Sequence, residues 1–174
     1  MALDPVFAAV LRIALALLFA VAALHKARDL RAFASTVEGY ALLPTPLVRL
    51  SAPLLVSAEL ATLILLVGGD PLGPAAALSL LSVYSLAIAV NLAQGRRDID
   101  CGCLGPAGAG QHLSGWLLAR NAVLAGTAAL LLLPETTRVV SWIDWISVAG
   151  GAATIMLLWS AANGLARGAV RSPA

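Results

Sequence analysis

Five apolar stretches, each near the ~20 residues needed to cross a hydrocarbon core, leave this chain few ways to fold. They run roughly over 6–27, 47–68, 73–94, 114–133 and 143–165. Turn chemistry or charge separates each from the next: His25-Lys26-Ala27-Arg28-Asp29, Gly68-Gly69-Asp70-Pro71, Gly95-Arg96-Arg97-Asp98 and Pro134-Glu135-Thr136-Thr137-Arg138. Charged residues make up only 11% of the chain, where a soluble domain carries about 25%. The expected fold is all-α: a polytopic integral membrane protein of about five transmembrane helices in a compact bundle. It forms a single membrane domain over 1–174, with the lipid bilayer as its first partner. Trp142 and Trp145 suit an interfacial anchor at the start of the fifth span. The net charge of +2 is small and scattered, with no basic run interleaved with aromatics, so nucleic acid is excluded as a partner.

The first stretch also has the look of a cleavable signal peptide, with Arg12 before an apolar run. A retained helix is the reading taken, because the apolar run begins at Val6, ahead of the arginine. Five spans put the termini on opposite sides. Lys26, Arg28, Arg31, Arg49, Arg96, Arg97, Arg167 and Arg171 then share one side, and Arg138 alone among the connecting segments lies on the other. Basic residues collect on the cytoplasmic face, which directs the 95–113 loop inward and the amino terminus outward. Gly102, Gly105, Pro106, Gly108 and Gly110 make that loop bendable enough to dip toward the bundle. Leu30–Tyr40 is expected to form a short surface helix, with Pro44 and Pro46 setting up the second span.

Charged groups within spans are costly and are usually paired or functional. Glu59 lies 12 residues into the second span, about 18 Å from the loop side, and Arg12 about 20 Å from it. An Arg12–Glu59 pair is therefore expected, and a purely structural role in fixing helix register accounts for it. His25, Lys26, Asn91, Arg120 and Asn121 all fall within about 10 Å of the loop side. Arg120 near the positive end of its helix favours an anion such as a thiolate. The bland reading is that Arg120 snorkels and the asparagines tie helices together.

The chain's two cysteines stand in Asp100-Cys101-Gly102-Cys103-Leu104-Gly105. Three chemistries are open to them. The first is thiol–disulfide exchange, the work of a thiol–disulfide oxidoreductase. Arg96, Arg97, His112 and the next helix start would lower the thiol pKa, and so small a disulfide ring is readily reduced. The second is metal binding by Asp100, Cys101, Cys103 and His112, though the one-residue gap is not the common zinc spacing; a soft Cu(I) site needs only two thiolates. The third is a plain turn. Cys103 lies nearer the helix start, where its thiolate is the better stabilised.

The order of these features resembles one family. A first span ends in His25-Lys26, then Phe33…Tyr40-x-Leu42-Leu43-Pro44, a Glu59-bearing span, the cysteine block, and Arg120-Asn121 in the following span. From about residue 8 to about 133 this resembles the methylamine utilisation protein MauE family, within the DoxX-like membrane group. Leu104 departs from the phenylalanine often found there. The resemblance implies a multi-pass protein of the bacterial inner membrane, active in maturation of the disulfide-rich small subunit of a periplasmic redox enzyme. The implied partner is a thioredoxin-like protein, MauD, and the implied role falls on Cys101 and Cys103. Arg120 and Asn121 then hold the ionised form, and Lys26, His25 and Glu59 form the polar interior. With no second dithiol in the chain, electrons must pass to a partner's cysteines or to a cofactor such as a quinone. A periplasmic client needs thiols that reach the periplasm, which conflicts with the charge count. Two rival roles stay open: a transporter or soft-metal carrier, with Glu59 and Arg12 lining the path, and a non-catalytic assembly factor.

Overall fold

The structure is a computed structural model, and it describes residues 2–96 and 113–171. Among the described residues six helices follow in order: α1 (Pro5–Arg28), α2 (Leu30–Gly39), α3 (Thr45–Val67), α4 (Leu72–Ala93), α5 (Gly115–Leu130) and α6 (Trp142–Arg171). Four of them, α1, α3, α4 and α6, are long and apolar enough to cross a membrane. The protein is an all-helical, multi-pass membrane protein.

Local chemistry sets the helix limits. Asp4 caps α1 by accepting from the Val6 amide at 2.8 Å, with Pro5 in the first turn. Asp29 ends α1 and caps α2, accepting from the Ala32 amide at 2.9 Å. At the start of α6, Asp144 Oδ2 accepts from the Ser141 amide and hydroxyl at 2.8 and 2.9 Å. Ser141 Oγ accepts in return from the Asp144 amide at 3.4 Å, a reciprocal box. Between α3 and α4 the chain turns through Gly69, whose φ is +72°. Gly73 then lies so close to α3 that a Cβ would stand 2.9 Å from the Leu66 nitrogen.

The fourth expected stretch, 114–133, forms a shorter helix than the sequence suggests. α5 has 16 residues, about 24 Å of rise, against a hydrocarbon core of about 30 Å. Leu131–Leu133 tighten into turns, with Leu132 and Leu133 amides bonded three residues back. Pro134 disfavours helix for the residue before it, so the apolar run outlasts the helix. α5 packs along α4 and also touches α1.

α1 is the centre of the bundle and packs against α3, α6, α5 and α2. Its buried face runs Ala8, Leu15, Ala16, Phe19, Ala23 and Lys26, one stripe at helical spacing. Leu66, Ala77, Leu81, Ala128 and Leu131 close around the upper part of that stripe. Gly151 lets α6 approach, since a Cβ there would meet both Val10 methyls at 3.1 Å. Outward-facing Leu54, Ile64 and Leu86 are exposed, as lipid contact requires.

Both ends of the bundle are identifiable. At one, Leu3 pairs with the 134–136 segment through bonds of 2.9 and 2.8 Å, and Arg138 bonds Asp144 at 2.8 Å. This joins the start of α1, the end of α5 and the start of α6. At the other end, Phe33 of α2 packs on Ala52 and Val56 of α3. Arg96, after α4, donates to the Tyr40 and Gly39 carbonyls at 3.2 and 3.4 Å. Leu113 and Leu117 pack with Ile88, Tyr40 and Leu92. The chain therefore leaves α4 and returns to α5 on the α2 side.

Candidate functional site

Lys26 is the last member of the buried stripe on α1, and Glu59 extends the buried Val48, Ala52, Val56 face of α3. They are 4% and 1% exposed. Lys26 Nζ donates to Glu59 Oε1. Tyr84 of α4 donates its hydroxyl to the same oxygen at 2.7 Å and accepts from Lys26 at 3.4 Å. The Lys26 ammonium also stands 5.0 Å from the Phe33 ring centre and 4.6 Å from that of Tyr84. Three helices thus meet on one buried charge pair.

The expected Arg12–Glu59 pair does not form. Arg12 bonds Glu135 at 2.7 Å, near the opposite end of the bundle and close to Gly69. The reason lies in side-chain direction. A helical side chain leans toward the amino end of its own helix. In the antiparallel α1 and α3, Lys26 and Glu59 lean toward each other, whereas Arg12 leans away. Backbone depth alone misassigns the partner.

On the far side of the pair lies a cavity of about 70 Å³. Lys26, Glu59 and Tyr84 line it with Arg120 and Asn121 of α5 and Trp159 of α6, and apolar residues, chiefly Leu15, Phe19 and Ala22 of α1 with Leu81 and Leu124, complete the lining. Arg120 and Asn121 are 6% and 3% exposed. Arg120 donates to Asn163 Oδ1 at 3.5 Å, and its guanidinium carbon is 6.0 Å from the Trp159 ring centre. Glu59 Oε2, Arg120 Nε and Asn121 Nδ2 are buried and make no hydrogen bond. A larger apolar groove of about 370 Å³ lies between α2, α3 and α4 and shares Lys26 and Tyr84 with the cavity.

Of the residues singled out from sequence, Lys26, Glu59, Arg120 and Asn121 converge on this cavity. Asn91 is buried but separate, donating to the Ala87 carbonyl at 3.0 Å and accepting from Arg96 at 3.4 Å. His25 is half-buried and lines neither space, and Arg12 is at the other end. Cys101 and Cys103, with Asp100 and His112, lie outside the described residues. Tyr84, Trp159 and Asn163 were not singled out. Tyr84 was legible, since it shares a face with Ile88 and Asn91 at spacings of four and seven.

The family profile described as methylamine utilisation protein MauE matches residues 4–134. The chain belongs to the MauE family. Among its relatives, a methylamine utilization protein MauE from Paracoccus denitrificans is 40% identical, over 72% of this chain and 68% of its own length. That of Paracoccus versutus is 40% identical, over 74% and 72%. That of Methylorubrum extorquens is 37% identical, over 95% and 92%. No solved structure matches. The MauE profile takes in the Lys26–Glu59–Tyr84 cluster, both cysteines, Arg120 and Asn121. Trp159, which lines the cavity, and Asn163, which accepts from Arg120, fall beyond it.

Proposed function

We propose that this MauE homologue performs thiol–disulfide exchange in the bacterial inner membrane, with a thioredoxin-like partner, during maturation of a periplasmic redox enzyme of methylamine use. The observation that carries the reading is the cysteine pair within a family-matched segment. The thiolate of one cysteine attacks a partner disulfide, forming a mixed disulfide and releasing a partner thiolate. The second cysteine resolves it, so the chain gains a disulfide and the partner a dithiol. Two electrons thereby move to the partner, and a dithiol or a hydroquinone must later restore the pair. Buried Arg120 and Asn121, on the helix that follows the cysteine segment, supply a positive, amide-lined neighbourhood of the kind that favours a thiolate.

Lys26 is spent on Glu59 and does not add to the charge that orients the protein. The remaining basic residues keep the same asymmetry, and the cysteine segment is proposed to face inward. Changing Cys101 or Cys103 singly to Ser should trap a mixed disulfide with a thioredoxin-like protein, identified by mass spectrometry. A membrane-impermeant thiol reagent on intact cells should leave the pair unlabelled. Capture by neither variant, with growth on methylamine intact in the double Ser variant, would refute the exchange. Labelling from outside would reverse the orientation alone.

A further inference from the structure

Lys26, Arg120 and Glu59 line the cavity, so its walls hold two cations and one carboxylate. Lys26 is matched by Glu59 and Tyr84. Arg120 has no such counter-charge: among the described residues no carboxylate lies within ion-pair distance of it. Its contacts are the Asn163 amide oxygen and the Trp159 ring. Leaving a cation uncompensated inside a membrane bundle is costly. Three of the residues that line this space carry a buried atom without a partner: the acceptor Glu59 Oε2 and the donors Arg120 Nε and Asn121 Nδ2. Buried polar atoms are seldom left so.

This pattern specifies what fits. The complement accepts from Arg120 and Asn121, donates to Glu59 and carries one negative charge. Water meets the donor and acceptor pattern but leaves the surplus charge. Chloride or formate meets the charge but sets an anion against Glu59 Oε2 with no proton between them. A small anion that keeps an O–H satisfies all three atoms. The cavity, about 70 Å³, is several times the roughly 10–15 Å³ that one water needs on the same measure, and admits an anion of a few heavy atoms. We propose that the space between the Lys26–Glu59–Tyr84 cluster and Arg120-Asn121 binds a small protic oxyanion, with bicarbonate as the simplest probe. Arg120 and Asn121 hold its ionised oxygens, and its O–H donates to Glu59.

The site shares Arg120 and Asn121 with the proposed thiolate neighbourhood, but anion binding there needs neither cysteine. The test uses the full chain in lipid nanodiscs, titrated with bicarbonate, formate or chloride at fixed pH and ionic strength, with the thermal midpoint as readout. Bicarbonate should give a saturable rise, with an apparent Kd about tenfold or more below those of the other two anions, the effect of one charge-assisted hydrogen bond. Arg120→Gln should abolish the saturable rise, and Glu59→Gln should erase the preference for bicarbonate over formate. Asn121→Leu, a change of similar volume, decides the matter if Arg120→Gln does not fold, and should weaken bicarbonate about tenfold. An equal, shallow response to all three anions overturns the proposal, as does a bicarbonate response unchanged in Asn121→Leu. The titration is repeated in Cys101→Ser/Cys103→Ser. Binding kept there supports the site whatever becomes of the thiol chemistry, and binding lost there refutes a site built from Arg120 and Asn121.

Discussion

Replacing either member of the Lys26–Glu59 pair should destabilise the bundle, and the two replacements should differ. At 4% and 1% exposure, solvent screens neither charge. Removing one partner of such a pair typically costs about 3–5 kcal/mol, because the other charge stays buried and unmatched. Glu59→Gln leaves Lys26 with the Tyr84 hydroxyl and two aromatic faces, at 5.0 and 4.6 Å. Desolvated cation–π contact contributes about 2 kcal/mol, so the net cost should fall to about 1–3 kcal/mol. Lys26→Met is harsher. Glu59 then retains the 2.7 Å bond from Tyr84 but no ion-pair partner among the described residues, and the full cost of about 3–5 kcal/mol applies. Lys26→Met/Glu59→Gln removes both charges, and a coupling energy of order 2–3 kcal/mol should appear. SDS-driven unfolding in mixed micelles, followed by far-ultraviolet circular dichroism, measures all four proteins. Additive single effects, or a Glu59→Gln loss larger than that of Lys26→Met, would refute this account of the pair.

Two further substitutions test the packing and the corrected ion pair. Gly73→Ala should lower stability by about 1–3 kcal/mol, because overpacking is costly and its Cβ would meet the Leu65 and Leu66 backbone at 2.9–3.2 Å; a thermal midpoint equal to wild type would contradict that close approach. Arg12→Gln should cost about 1 kcal/mol or less, since its partner Glu135 is 36% exposed and such pairs contribute little; the same unfolding assay reads it, and a loss as large as that of Lys26→Met would restore a buried role for Arg12.

Hydropathy made most of the architecture legible, because length and apolar character suffice to mark a span. It failed at α5, where Pro134 and the turns before it shorten the helix inside an apolar run. The short helix α2 matches the surface helix expected over Leu30–Tyr40, while the Asp29 side chain that caps it emerges only in the structure. Glu59 and Arg120 stood out as charges among leucines. Their partners did not, because pairing depends on how side chains lean along antiparallel helices, and one-dimensional depth omits that direction. Stripe membership was the better guide: Lys26 follows Phe19 and Ala23, and Glu59 follows Ala52 and Val56, each at helical spacing. Trp159 and Asn163 escaped notice because nothing local distinguishes them, and they matter only through α5.

The last helix leans chiefly on α1, yet its Trp159 lines the chamber and its Asn163 accepts from Arg120. A change at Trp159 therefore alters the chamber without touching the Lys26–Glu59 pair. Lys26 and Glu59 belong to both chamber and pair, so a single change there moves the chamber and the stability of the bundle together.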